Sequence, residues 1–231
     1  MHTEKNTTGF GYYIALLTAL LAILSFGTGI FTPPLSGPFC TAGCYEYPYH
    51  DIASRFPRDY LWMYPALLLT ASYMALMAVL HSMAESQMKV YSLTSLVFSV
   101  SAGTLLLMNL FVQVSVVQPS LLKGETEGIA LITQFNPHGL FIVLEELAYL
   151  LMGLSFLCMA PLFVGGDRLQ RSIGIIFALA LPLMLLALAL ISLQHGLARE
   201  YRFEVAVISI AWTVLIINPI LLARWLKRSL K

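Results

Sequence analysis

Six long apolar runs are the feature of this sequence that most constrains its fold. A bilayer core of about 30 Å is crossed by roughly 20 apolar residues in helical form. None of the runs alternates apolar and polar residues, as the strands of a membrane barrel do. We therefore predict an all-α polytopic membrane protein, a bundle of six transmembrane helices that forms one domain over residues 1–231. The predicted spans are about 11–31, 60–82, 90–116, 139–164, 172–195 and 203–225.

The composition supports a membrane protein and argues against a nucleic-acid partner. Hydrophobic residues make up 58% of the chain and charged residues only 11%, whereas about a quarter of a soluble domain is charged. The 13 Lys and Arg against 12 Asp and Glu create no basic field that would attract a phosphate backbone. We expect the lipid bilayer as the surroundings. A homo-oligomer or another membrane protein as partner is left open.

Positive charges near the ends of the spans predict the orientation, because Lys and Arg resist translocation. With six spans, both termini share one side with the short connections at 83–89 and 165–171. The positive residues on that side are Lys5, Lys89, Arg168, Arg171, Arg224, Lys227, Arg228 and Lys231. The other side carries Arg55, Arg58, Lys123, Arg199 and Arg202. This excess predicts a multi-pass protein of the plasma membrane with cytoplasmic N and C termini.

The two outer connections, 32–59 and 117–138, are long for a compact protein, and such loops tend to be functional or to act as lids. The first is rich in prolines and aromatic residues, and we expect it to fold back over the outer mouth of the bundle. It also contains Cys40 and Cys44. An oxidising compartment would favour a disulfide between them. Redox or metal chemistry is the alternative, but it needs further partners.

Two adjacent carboxylates interrupt the fourth apolar run, NPHGLFIVLEELAYLLMG. A charge inside the bilayer is unfavourable by several kcal/mol, so an intramembrane Glu usually faces a cavity or a partner. Glu145 and Glu146 lie roughly 9 to 10 Å along the helix from Gly139, at about 1.5 Å per residue. This depth corresponds to the outer third of the membrane. His138 and Tyr149 share the same helix face, which we expect to point inward.

Polar residues of other spans lie at a matching depth, including Arg202 and Glu204 at the start of the sixth. They predict an outward-facing polar pocket, in which desolvation and like charge leave one Glu protonatable near neutral pH. The residues that we predict to bind the ligand or a proton are Glu145, Glu146, Tyr149, His138, Asn109, Gln113, Gln194 and His195. In the structural alternative, Glu146 pairs with Arg202 or Arg199, accepts a hydrogen bond from Tyr149 and only joins helices.

The histidines do not form a metal-binding pattern. His138 opens the fourth span and His195 closes the fifth, so two helix ends could bring them together as a copper or haem ligand pair. Neither belongs to an H-x-x-H, H-x₃-H or E-x-x-H motif. We therefore expect no metal and no cofactor.

Three functions are compatible with these features. The first is binding, with or without transport, of a small molecule or ion in the pocket around Glu145 and Glu146. The second is a membrane-embedded enzyme that acts on a lipid or hydrophobic substrate, with one Glu as general acid or base. The third is a non-catalytic subunit of a larger membrane complex.

Overall fold

A computed structural model describes residues 2–33 and 35–230 of the chain. The described residues form eight α-helices, short 3₁₀ and π turns, and no strand, which confirms the all-α prediction. The helices are α1 (His2–Phe31), α2 (Met63–Met83), α3 (Lys89–Val112), α4 (Gln118–Leu122), α5 (Ile129–Ile132), α6 (Leu140–Met159), α7 (Arg168–His195) and α8 (Glu200–Ser229).

Six helical stretches of the described chain are long and apolar enough to cross a membrane, which confirms the predicted class. Their bounds are Asn6–Phe31, Arg58–Met83, Ser86–Leu122, Leu140–Phe163, Arg168–Arg199 and Tyr201–Ser229. The third extends beyond its predicted end at residue 116, because α3 continues through a π turn at Gln113–Val117 into α4. Pro119 lies in the first turn of α4, where a missing N–H is tolerated.

The six spans pack as a ring in which α1 lies between α2 and α8, while α6 contacts α3, α7 and α8. Because α7 returns across the bundle, α6 and α8 begin at the same end. We call it the long-loop end, since the connections at 32–62 and 123–139 lie there. Gly153 lets α7 approach α6 closely: an added Cβ would lie 2.8 Å from Met184 Sδ. The first turns of α6 and α8 are therefore neighbours.

The connection between α1 and α2 packs over the long-loop end, and we call its residues 35–57 the lid segment. Tyr49 and Ile52 are buried, and the Phe39 ring lies 5.7 Å from the Tyr201 ring at the start of α8. A disulfide joins Cys40 to Cys44, with Cα atoms 5.8 Å apart. The lid segment is thus an ordered part of the bundle.

Buried Asp59 anchors the lid segment. Arg55 Nε donates to Asp59 Oδ2 at 2.8 Å, and Arg58 Nη1 donates to Oδ1 at 3.1 Å. The hydrogen bond to Asp59 raises the pKa of the Arg55 guanidinium. Gln134 Nε2 donates to the Asp59 carbonyl at 3.1 Å, and the Gln134 N–H donates to Gln113 Oε1 at 3.0 Å. Both long connections are therefore tied to each other and to the third span.

Candidate functional site

The inward face of α6 carries the carboxylate that the sequence singled out. Glu145 is fully buried, and Glu146 and Tyr149 are 6% and 3% exposed. Glu145 and Tyr149 are four residues apart and therefore lie on one face of the helix. Glu145 is five residues into α6, roughly 7 to 8 Å from its first residue at about 1.5 Å per residue. It lies near the long-loop end and not at the middle of the bundle.

A second buried carboxyl group, from α8, meets Glu145. Glu204 is 6% exposed, and its carboxyl lies within hydrogen-bonding range of the Glu145 carboxyl. No donor of the described residues reaches either oxygen of Glu145. Two carboxylates offer only acceptors. The two residues, which we call the acidic pair, therefore require a proton between them or a donor from a ligand.

Glu146 points elsewhere and forms an ion pair. Arg199 Nη1 lies 3.0 Å from Glu146 Oε2, and the two side chains are 32% and 8% exposed. Arg199 belongs to the turn Gly196–Arg199 that joins α7 to α8. Successive helical residues point about 100° apart, so adjacent glutamates reach different neighbours. Arg202 is not the partner here: its Nη1 donates to the Ala198 carbonyl at 2.8 Å.

Aromatic side chains from four spanning stretches form a cluster that includes Tyr149, next to the acidic pair. Trp212 Nε1 donates to the Tyr149 hydroxyl at 3.0 Å. The Trp212 ring also packs against Phe26 of α1 at 5.9 Å and against Trp62 at 6.0 Å. Tyr149 therefore engages Trp212, not Glu146 as the structural alternative assumed.

A cavity of about 280 Å³ opens between α1 and α8, beneath the lid segment. Its lining is mainly apolar and includes Phe26, Ile30, Trp62, Phe141, Val205 and Trp212. Glu204 is the one acidic side chain among the described residues that line it. Ile30 and Val205 are 60% and 42% exposed on membrane-spanning stretches. The exposed part of the rim therefore lies near the end of one spanning stretch and near the start of another.

Two of the predicted pocket residues bind backbone groups. Asn109 Nδ2 donates to the Phe141 carbonyl at 2.9 Å, so its amide joins α3 to α6. Gln113 Nε2 donates to the Ile132 carbonyl at 2.6 Å and holds the second long connection. Both are buried, and neither lines the cavity. Their amides bind backbone carbonyls: that of Phe141 in the first turn of α6 and that of Ile132 at the end of α5.

Three other predicted residues, His138, Gln194 and His195, are exposed at the long-loop end. They do not line the cavity. None of the eight residues from which we predicted a polar pocket lines the cavity between α1 and α8. Gln194 and His195 are exposed because α7 ends at His195, beyond the part of the helix that packs in the bundle. Within the described residues, no three His, Cys, Asp or Glu side chains are arranged to hold a metal ion.

Residues of α8 complete the site. Tyr201, Glu204, Ile208 and Trp212 all line the cavity. Their spacing of three or four residues places them on one helix face. From the sequence, Glu204 was named among the polar residues at a matching depth but was not included in the predicted site, and the other three were not singled out. The signal in the sequence was an acid within the apolar run FEVAVISIAW.

Comparison with known proteins found no match: no family model, curated protein or solved structure matches this chain. Function is therefore inferred from the contacts, burial and charges of the described residues.

Proposed function

We propose that this membrane protein binds a lipophilic molecule in the cavity between α1 and α8, and that the polar end of this molecule donates a hydrogen bond or carries a positive charge. One observation carries the proposal. Glu204 is 94% buried, lines an apolar cavity and meets another buried carboxyl group, Glu145, without a donor from the described residues.

The energetics of burial favour a ligand site over a purely structural role. A buried polar group without a hydrogen bond destabilises the folded state by about 1 to 3 kcal/mol, and a buried charge by more. Glu146 avoids this penalty through Arg199. Glu145 and Glu204 offer each other no positive charge, so they do not join helices as an ion pair would. A ligand that brings a donor would compensate them.

The exposed apolar rim supports a ligand that arrives from the bilayer. Ile30 and Val205 are exposed on helical stretches that are apolar enough to span a membrane, and we propose that the cavity opens toward lipid between them. A volume of about 280 Å³ is at the lower end for ligand pockets, which begin at roughly 300 Å³. It suits a polar head with a short length of chain, and the remaining chain would lie in the bilayer.

Binding is better supported than transport. Beyond Tyr149 and Trp212, the bundle interior is filled by the ring of Tyr73, which lies 5.8 Å from that of Phe156, and by the stacked pair Phe156 and Phe177 at 5.2 Å. All three rings are buried. A passage from the cavity to the other end would need these aromatic side chains to move apart.

Labelling with dicyclohexylcarbodiimide tests the proposal, since this lipophilic reagent adds to protonated carboxyl groups in apolar surroundings. We expect mass spectrometry to find the adduct on Glu204 or Glu145, and octyltrimethylammonium, which has no nucleophilic nitrogen, to reduce the labelling at least tenfold. Glu204→Gln should remove this protection. Glu127→Gln, the same change at an exposed loop residue, is the matched control. Absence of the adduct from a folded wild-type protein, or labelling that octyltrimethylammonium leaves unchanged, would contradict the proposal.

The long-loop end is proposed to face the exterior of the cell, with both termini in the cytoplasm. Support comes from the eight positive residues on the terminal side against five on the other; Lys231, one of the eight, lies outside the described residues. A C-terminal fluorescent protein that folds only in the cytoplasm should be bright, whereas a C-terminal alkaline phosphatase should be inactive. The opposite pair of results would reverse the assignment.

A further inference from the structure

We infer that a cationic ligand enters this cavity in exchange for a proton held by Glu145 and Glu204, so that each bound positive charge releases one proton. The inference rests on the proposed binding function and adds to it the charge of the ligand and the ion that leaves. Its basis is the contact between two buried carboxyl groups at the wall of a cavity.

The acidic pair cannot hold two negative charges without compensation. Glu145 is fully buried and Glu204 is 94% buried, so water does not screen their repulsion effectively. Like charges in contact do not both ionise, and in an apolar site without a cation the neutral pair, with a proton on each carboxyl group, is favoured over an uncompensated charge. With a proton present, the O–H of one carboxyl donates to an oxygen of the other. This accounts for an arrangement in which no other described donor reaches Glu145.

Charges around the pair do not neutralise it. Among the described side chains, the titratable groups close to the pair are Glu146 and Tyr149 on α6 and Tyr201 on α8. Arg199 lies beyond them on Glu146, and Asp59, beside Arg55 and Arg58, lies near Tyr201. Arg199 is engaged with Glu146, and Asp59 is engaged with its two arginines. The α1 residues that line the cavity are uncharged. Neutrality therefore depends on protons or on a cation from outside.

The charge balance of the site determines how many protons are released for each cation that binds. A low-dielectric site favours the composition whose net charge is closest to zero. Without a cation, that composition has a proton on each of the two carboxyl groups. When an ammonium group enters, one of the two protons leaves Glu204 or Glu145 for the solvent, so the site, now one cation beside one carboxylate, stays neutral. No covalent bond forms or breaks apart from the O–H bond of that carboxyl. A neutral ligand such as an alcohol binds as a hydrogen-bond donor and leaves the protons in place.

Octyltrimethylammonium separates these cases, because it carries a permanent charge and no proton of its own. Its binding to the full chain in a neutral sugar detergent is measured by calorimetry near neutral pH, in two buffers of different ionisation enthalpy. We expect about one proton released per cation bound, and an affinity that rises up to about tenfold per pH unit where the pair titrates. 1-Octanol, of equal chain length, should release none.

Glu204→Gln should lower the affinity for octyltrimethylammonium at least tenfold and abolish proton release, while Glu127→Gln should match the parent. If Glu204→Gln does not fold, Glu145→Gln is the second variant, and the proton count of the wild-type chain needs no variant. Cation binding without proton release would overturn the exchange and leave the binding function standing. Failure of octyltrimethylammonium to bind or to protect Glu204 from carbodiimide would overturn the binding function itself.

Discussion

Glu145 on α6 meets Glu204 on α8 carboxyl to carboxyl, although the next residue of α6, Glu146, has Arg199 within 3.0 Å. Adjacent residues of one helix are therefore placed in opposite electrostatic surroundings. Glu146 stabilises the junction of α6 with the turn before α8. The acidic pair, in contrast, has no positively charged partner that the structure shows among the described residues, and only its Glu204 lines the cavity.

Replacing one acid of the pair by its neutral isostere should stabilise the protein. In Glu204→Gln the side-chain amide can donate to Glu145, so burial of residue 204 no longer requires its carboxyl group to take up a proton. We expect a gain of about 1 to 2 kcal/mol in unfolding free energy, within the range seen when buried charges are removed. Thermal unfolding in detergent without added ligand measures it, with Glu127→Gln as control. A loss of similar size would indicate that the pair is structural.

Removing the contact between Arg199 and Glu146 should lower the free energy of unfolding, whereas Glu204→Gln should raise it. Arg199→Gln removes the cation from a carboxylate that is 8% exposed, and we expect a loss of about 1 to 3 kcal/mol. The double variant with Glu146→Gln should lose less than the two single losses combined. A double-mutant cycle measures this coupling at about 1 to 2 kcal/mol. Additive losses would mean that the contact does not stabilise the fold.

Asp59 should control the integrity of the lid segment. Asp59→Asn removes the carboxylate that both Arg55 and Arg58 contact, and breaking a buried pair in this way destabilises by about 3 to 5 kcal/mol. Trypsin should then cleave after Arg55 or Arg58 at least tenfold faster, because the loosened segment fits the protease. The exposed residue Asp51 supplies the control, Asp51→Asn. Equal cleavage rates in the two variants would contradict this role of Asp59.

Alkaline pH should weaken the packing of the lid segment through Tyr49. Burial raises the pKa of Tyr49 above its ordinary value of 10.0. The folded state therefore retains the phenolic proton at pH values where the unfolded state has lost it, and stability falls as pH rises above about 10. Tyr49→Phe should reduce this fall. Thermal unfolding between pH 8 and pH 11 checks it, and an identical pH dependence in both proteins would count against burial of the phenol.

Most of the fold could be predicted because hydropathy is a local property of the chain. Each apolar run was long enough to require a helix, since lipid leaves backbone groups no other partner. The end of the third span was missed, because residues beyond 116 are less apolar and remain helical only through α4. Sidedness stays a prediction from the distribution of Lys and Arg.

Less of the candidate site could be predicted. The unfavourable burial of charge correctly drew attention to Glu145 and Glu146, but nothing local distinguished the one near Glu204 from the one near Arg199. Asn109 and Gln113 are buried, yet their partners are the carbonyls of Phe141 and Ile132. The sequence around a polar residue within a span does not show whether its side chain binds a ligand or a backbone group.

The sequence by itself determined that this chain is a helical membrane protein of six spans, because the length and hydropathy of each run leave one way to satisfy the backbone in lipid. It also determined that carboxylates lie within that bundle. Only the tertiary structure decided which carboxylates meet. The rotation of α6 and the parallel placement of α8 bring Glu204 to Glu145 and Arg199 to Glu146, and both depend on side-chain packing between helices distant in sequence.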